Sequence, residues 1–144
     1  MKYFLDTEFN GFGGELISLA LVSEYGGELY LATHCENPIE WVAKNVIPII
    51  RCHGADPFDI VPDFFGRAIA MFLDDDIEPV IVADWPDDIR YFCQALIVGP
   101  GQMVNIPGPI RFEVHRVESY PNTFGAIQHN ALWDARALRA VLER

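Results

Sequence analysis

Two acidic residues separated by one position, Asp6 and Glu8, lie in an otherwise apolar segment near the N-terminus. In a β-strand, residues two apart point the same way, so their carboxylates would lie roughly 7 Å apart on one face. Neighbouring buried carboxylates repel each other and lose water, and a divalent cation relieves both costs. A solvated strand face is the commoner explanation of an isolated Asp-x-Glu, so this pair needs support from elsewhere in the chain.

A second pair of residues that could take part in catalysis, His129 and Asp134, lies near the C-terminus, five positions apart. On one continuous helix this spacing would direct the two side chains to different sides. Asn130 is a favourable helix N-cap, and a helix that begins there leaves His129 in the preceding loop and Asp134 one turn inside. Both side chains can then face one cavity. The alternative is a capping Asn beside a surface His.

Three carboxylates, those of Asp84, Asp87 and Asp88, occur where an apolar strand is predicted to pass into a helix. Acidic residues are common in a first helical turn because they interact favourably with the helix dipole. Asp84 is the best candidate for the helix cap. Asp88 immediately precedes the apolar helical stripe that begins at Ile89, so its side chain can lean toward the core edge where the strand ends.

The elements that must position these residues follow from hydrophobic periodicity. Strands are predicted over residues 2–9, 15–23, 28–33 and 79–83, with an edge strand over 110–117. Helices are predicted to begin at Asn37-Pro38, at Pro62, after Asp84 and at about Ala131, while the Gly- and Pro-rich residues 99–109 are predicted to be irregular. This order predicts an α/β fold with a mixed sheet, antiparallel hairpins first and parallel strands later, and helices on both faces.

Together, the three acidic segments resemble the DEDDh family of 3′–5′ exonucleases. That family has Asp and Glu on the first strand, Asp at the start of a middle helix, and His-x4-Asp at the start of the last helix. Within it, the chain resembles the mycobacterial-type 3′–5′ exoribonucleases, the RNase AS group. The resemblance covers essentially the whole chain and is carried by Tyr3–Phe9, Leu16–Ser18, Trp41-Val42 with Pro48, Asp88 with Cys93-Gln94, and His129–Arg136.

The resemblance implies a ribonuclease-H-like fold and a single exonuclease domain over residues 1–144. It also implies hydrolysis of single-stranded RNA from the 3′ end to nucleoside 5′-monophosphates. His129 would accept the proton of the attacking water, since imidazole titrates near working pH. Two Mg²⁺ (or Mn²⁺) ions, about 3.5–4 Å apart in such sites and suited to oxygen ligands, would be held by Asp6, Glu8, Asp88 and Asp134.

Asp84 remains the alternative to Asp88 as the fourth metal ligand. Many family members carry Asn four residues before this Asp and an aromatic residue immediately before it, where the present chain has Asp84 and Asp87. Asp88 keeps the right relation to the following apolar stripe. Asp84 would then replace the Asn as the helix cap.

Phe9, Asn10 and Phe12 follow the first strand and are candidate substrate-binding residues. Aromatic side chains there could stack the terminal bases, a contact worth about 1–3 kcal/mol per base, although core-edge aromatics beside a turn would give the same pattern. Single-stranded DNA is an alternative substrate, because contacts to the RNA 2′-hydroxyl leave no motif. An inactive nuclease-like RNA-binding module is a further alternative, and the complete set of site residues counts against it.

The amino-acid composition limits which other classes of protein the chain could belong to. The chain has 144 residues, 51% of them hydrophobic, and 21 acidic against 10 basic residues give a net charge of −11. This charge disfavours a passive nucleic-acid-binding module, because phosphate binding normally relies on Lys and Arg, but carboxylate-held cations can bridge to phosphates. Because no apolar run reaches ~18 residues and no export signal is visible, we expect a cytoplasmic protein without membrane contact. The resemblance further suggests a homodimer.

Overall fold

The computed structural model describes residues 1–120 and 126–144. The strands in these ranges are β1 (Lys2–Phe9), β2 (Leu16–Ser23), β3 (Glu28–Ala32), β4 (Phe58–Asp59), β5 (Val80–Ala83), β6 (Ile97–Gly99), β7 (Gln102–Met103) and β8 (Arg111–Val114). The helices are α1 (Glu40–Asn45), α2 (Phe65–Phe72), α3 (Pro86–Leu96) and α4 (Ala131–Leu142), with short 3₁₀ helices over Ile47–Ile49 and Pro62–Phe64.

Six strands form one mixed sheet in the order β4-β3-β2-β1-β5-β8. The first three strands are joined as antiparallel neighbours, whereas β5 lies parallel to β1 and β8 lies parallel to β5. The predicted order, hairpins first and parallel strands later, is confirmed. β8 forms the predicted edge of the sheet, and β1 runs through its centre, where both neighbouring strands fix its register.

Helices cover both faces of the sheet. The central strands are apolar on both sides, so both faces need to be shielded from water. Leu5 on β1 belongs to a buried cluster that includes Phe65 of α2 and Phe92 of α3. Phe4, which points to the other face, packs with Leu138 of α4. The chain is therefore an α/β protein with a helix-flanked mixed sheet. No helix in the described residues is long and apolar enough to cross a membrane.

The start of α1 differs from the prediction. Asn37 does not cap this helix, which begins only at Glu40 and has no side-chain cap. The segment before α1 is instead bound by Asn10, a residue distant in sequence. Asn10 Oδ1 accepts a hydrogen bond from the Ile39 N–H at 2.8 Å, and Asn10 Nδ2 donates to the Asn37 carbonyl at 2.9 Å. These contacts join the segment before α1 to the loop after β1, and α1 begins without a side-chain cap from the described residues.

Part of the segment predicted to be irregular forms a small antiparallel ladder. β7 pairs with β6, which directly follows α3. Gly101 allows this tight connection because its φ of 66° lies in the left-handed region that favours glycine. The Gly and Pro content therefore identified the turn but not the short strands around it.

Candidate functional site

Asp6 and Glu8 lie on one face of β1, as the strand alternation requires. Asp134 lies in the first turn of α4, which packs against β1 and β2. Carboxylate oxygens of Asp6, Glu8 and Asp134 all lie within 4.8 Å of one another. Helix and strand thus bring together the two ends of the sequence, and we call these three residues the first carboxylate group.

A second carboxylate group consists of Asp6, Asp84 and Asp88, whose oxygens also lie within 4.8 Å of one another. Asp84 directly follows the end of β5, and Asp88 lies in the first turn of α3. Asp6 is shared between the two groups because β1 lies beside β5 in the sheet. The structure therefore brings both aspartates that the sequence offered as alternatives to the same place.

The predicted capping role of Asp84 is wrong. The N-cap of α3 is Trp85, and no side chain in the described part of the protein caps this helix. Pro86 at the first helical position lacks an N–H group, so this end of the helix has one unpaired donor fewer. The carboxylate of Asp84 instead accepts a hydrogen bond from the Tyr120 hydroxyl, which leaves its other oxygen unengaged by that contact.

The predicted cap of α4 is confirmed. Asn130 Oδ1 accepts a hydrogen bond from the Trp133 N–H at 3.1 Å. The Asn130 amide group is buried and donates to the carbonyls of Ile49 and Ile50 at 2.8 and 3.1 Å. Asn130 therefore both begins the helix and anchors it to the segment after α1.

His129 occupies the turn that this cap fixes. Its φ of 64° is left-handed, an uncommon conformation for a residue other than glycine. The His129 N–H donates to Asp134 Oδ2 at 3.0 Å. The imidazole packs against Trp41 in a T-shaped arrangement, with ring centroids 4.9 Å apart. The backbone of His129 thus contacts the first carboxylate group, while its exposed ring packs on a neighbouring aromatic residue.

Burial and mutual repulsion raise the proton affinity of these carboxylates. Desolvation, followed by the charges of Asp134 and Asp88, raises the pKa of Glu8 to about 8. Burial raises the pKa of Asp88 and of Asp134 to about 7 in each case. For Asp6, burial and the neighbouring carboxylates raise the pKa well above its ordinary value. Four carboxyl groups that hold protons near neutrality need positive charge to be fully ionised together.

The donor set fits hard divalent cations. Asp6 Oδ2 is buried and has no hydrogen-bond partner among the described residues, although a buried polar atom is usually paired. It belongs to the residue that both carboxylate groups share. All the candidate ligand atoms are carboxylate oxygens, which suit Mg²⁺ or Mn²⁺ better than zinc. Two ions sharing the Asp6 carboxylate would satisfy this oxygen and offset the repulsion.

A cavity of about 400 Å³ opens beside the carboxylates and has an aromatic rim. Phe12 is 94% exposed, Trp41 is 51% exposed and Trp85 is 47% exposed, and all three side chains line this cavity. Phe9 also lines it and stacks on Tyr91, with ring centroids 4.6 Å apart. The site therefore combines exposed planar surfaces with buried carboxylates.

The three predicted substrate-binding residues have different positions. Phe9 and Phe12 line the cavity, whereas Asn10 is not among its lining residues. The hydrogen bonds of Asn10 to Ile39 and Asn37 occupy both its amide oxygen and its amide nitrogen. Its visible role is to join the loop after β1 to the start of α1.

Sequence reasoning assigned no role to three residues that touch the site. Trp85 directly follows Asp84, and its position beside a candidate ligand and before a helix-opening Pro is a local signal that could have indicated it. Tyr120 and Thr7 contact Asp84 and Asp88 through the tertiary fold, and no spacing in the sequence indicates either contact.

No protein-family model matches this sequence, and a comparison with curated proteins finds no match. Functional inference therefore depends on the arrangement of the side chains described above.

Proposed function

We propose that this chain is a metal-dependent 3′–5′ exoribonuclease of the DEDDh type. It would hydrolyse single-stranded RNA from the 3′ end and release nucleoside 5′-monophosphates. The observation that carries the proposal is the pair of carboxylate groups that share Asp6, with His129 beside one of them. Two neighbouring cation positions are the arrangement that two-metal phosphodiester hydrolysis uses.

Mg²⁺ or Mn²⁺ bound by Asp6, Glu8, Asp84, Asp88 and Asp134 would supply Lewis-acid activation of water and charge stabilisation for the departing 3′ oxygen. Glu8 and Asp134 would bind at one position and Asp84 and Asp88 at the other, with Asp6 common to both. The Asp6 oxygen that has no hydrogen-bond partner in residues 1–120 and 126–144 supports this assignment.

His129 is the candidate general base. It is exposed and therefore reaches solvent, and the Asp134 carboxylate and the Trp41 ring hold it in place. A neutral imidazole can accept the proton of an attacking water while the scissile phosphate is bound. A positioned base of this kind accelerates proton transfer by typically 10²–10⁴-fold.

The aromatic rim supports a single-stranded substrate. Phe12, Trp41 and Trp85 offer planar apolar surfaces, on which bases of any sequence can stack. Stacking does not depend on positive charge, which suits a chain of net charge −11. A base that is already unpaired needs no energy to leave a duplex before it enters such a cavity.

The order of the strands supports a ribonuclease-H-like fold. An antiparallel β1-β2-β3 unit is followed by β5 and β8 on the other side of β1, both parallel to it. β1, which carries Asp6 and Glu8, therefore lies inside the sheet, with β2 on one side and β5 on the other.

RNA labelled at its 5′ end, incubated with the protein and Mg²⁺, tests the proposal. We expect a ladder that shortens from the 3′ end, nucleoside 5′-monophosphates as products, and no reaction in EDTA. Glu8→Gln should abolish the reaction, whereas Glu36→Gln, which changes an exposed Glu in the same way, should not.

Internal cleavage products or an inactive wild-type protein would overturn the proposal. Hydrolysis of a matched single-stranded DNA in place of RNA would reassign the substrate while keeping the chemistry. RNA binding without hydrolysis would instead support the non-catalytic alternative.

A further inference from the structure

Thr7 lies between the two acidic residues of β1 but points to the opposite face of the sheet. Asp6 and Glu8 face α4, whereas Thr7 shares its face with Leu5, which packs in the cluster that contains Phe92 of α3. Thr7 is only 5% exposed. Its buried hydroxyl therefore needs a hydrogen-bond partner on the α3 side of the sheet.

The backbone of Thr7 also lies beyond the end of a neighbouring strand. β5 pairs with β1 in register up to Phe4, which lies opposite Val82, and β5 ends at Ala83. The N–H of Thr7 therefore has no β5 residue beside it to accept a hydrogen bond. A side chain from the first turn of α3 occupies this place.

That side chain is Asp88. Its Oδ1 accepts hydrogen bonds from the Thr7 N–H at 3.1 Å and from the Thr7 hydroxyl at 2.5 Å. Both donors converge on the same oxygen, so rotation of the carboxylate would break two hydrogen bonds at once. Oδ2 is not engaged by Thr7. Asp6 points to the α4 face of the sheet, whereas Asp88 comes from α3 on the opposite face. The two hydrogen bonds from Thr7 hold Asp88 at the end of β5, where it joins Asp6 in the second carboxylate group.

We propose that Thr7 is a positioning residue that orients Asp88 for metal binding: it holds Oδ1 and leaves Oδ2 for a cation shared with Asp6 and Asp84. The inference rests on the metal site of the proposed function. Hydrogen bonds to a charged acceptor are stronger than neutral ones, and Asp88 is 3% exposed, so water offers little competition. Groups that orient metal ligands typically change metal affinity by 10–100-fold when they are removed.

Mn²⁺ binding to the full chain, measured by electron paramagnetic resonance of the free ion, tests this proposal without any substrate. Thr7→Val removes the hydroxyl while keeping the shape of the side chain and the backbone N–H. We expect it to weaken Mn²⁺ binding at one of the two positions by about 10–100-fold. Thr7→Ser, which keeps the hydroxyl, should restore binding, and Thr33→Val, a matched change outside the site, should bind Mn²⁺ as the wild type does.

A purely structural role for Thr7 predicts a different result: a lower melting temperature with unchanged Mn²⁺ affinity in the folded protein. That result would overturn the proposal. Circular dichroism shows whether Thr7→Val is folded, and if it is not, Thr7→Ala removes the same hydroxyl and is measured in its place. RNA hydrolysis by Thr7→Val should recover at high Mn²⁺ because the Asp88 carboxylate is still present, whereas Asp88→Asn should not recover.

The two proposals fail in different ways. A wild-type protein that binds Mn²⁺ but does not hydrolyse RNA would refute the proposed function, while the comparison of Thr7→Val with Thr7→Ser would still decide the role of Thr7. A wild-type protein that binds no Mn²⁺ would overturn both the metal site and the positioning role.

Discussion

Replacing Glu8 by Gln should stabilise the metal-free protein at alkaline pH. Burial and the charges of Asp134 and Asp88 raise the pKa of Glu8 from 4.5 to about 8. A raised pKa means that the folded state binds the proton more tightly than the unfolded state. Protonated Glu8 therefore contributes its full stabilisation of the folded state below about pH 4.5, and this contribution is lost as the pH rises through about 8. Gln has nearly the same shape and carries no charge at any of these pH values.

The size of the effect follows from the two pKa values. At about 1.4 kcal/mol for each tenfold change in proton affinity, ionised Glu8 costs the folded state at most about 5 kcal/mol above pH 8. Water reaches part of this half-buried side chain, which reduces the realised cost to about 2–3 kcal/mol. For a chain of this size, that corresponds to a rise in melting temperature of roughly 5–10 °C in Glu8→Gln.

Thermal unfolding followed by circular dichroism in EDTA, at pH 4.5 and at pH 8.5, measures this difference. The variant and the wild type should melt together at pH 4.5 and separate at pH 8.5, with the variant higher. Saturating Mg²⁺ should narrow or reverse the difference, because the wild type gains more binding free energy than a variant that lacks a ligand. Glu36→Gln, at an exposed position, should follow the wild type throughout. A Glu8→Gln protein that melts at or below the wild type in EDTA at pH 8.5 would refute the reasoning.

The remaining predictions concern the other site residues. Asp88→Asn and Asp84→Asn should each weaken Mn²⁺ binding in calorimetric titrations, because both carboxylates belong to the second group; wild-type affinity in either variant would remove that residue from the ligand set. His129→Gln should lower the rate of RNA hydrolysis by about 10²–10⁴-fold but keep Mn²⁺ affinity, and loss of both would assign it a different role. Asn130→Ala should lower the free energy of unfolding by about 1–2 kcal/mol in urea titrations, because it removes a helix cap; an unchanged midpoint would contradict the importance of that cap.

The positions of the acidic residues on their elements could largely be predicted from local signals. The apolar alternation around Asp6 and Glu8 predicts a strand, and the bounds of β1 agree with the prediction. Asn130 was identified as a cap from its residue type and position before an apolar helical stripe, and its side chain does accept the Trp133 N–H. Such signals depend on residues that are only a few positions apart, so a single sequence contains them in full.

Contacts between distant segments could not be predicted in the same way. The local pattern before α1 favoured Asn37 as a cap, but Asn10 contacts the Ile39 N–H from 29 positions away. The pattern before α3 likewise favoured Asp84 as a cap, but its carboxylate lies in the second group and accepts a hydrogen bond from Tyr120, 36 positions away. In both cases the observed partner comes from a distant segment that the local pattern does not contain.

The sequence by itself determined which residues carry negative charge, where the long strands and most of the helices lie, and that Asp6 and Glu8 share one face of β1. Only the tertiary structure decided that two carboxylate groups share Asp6, and that Thr7 orients an aspartate 81 positions away. The physical reason is that β5 ends before β1 does, which exposes a backbone donor at Thr7, and the first turn of α3 brings Asp88 to it. Local patterns predict the lengths of these two strands, but the register in which they pair is set by packing of the whole sheet, and no local pattern encodes it.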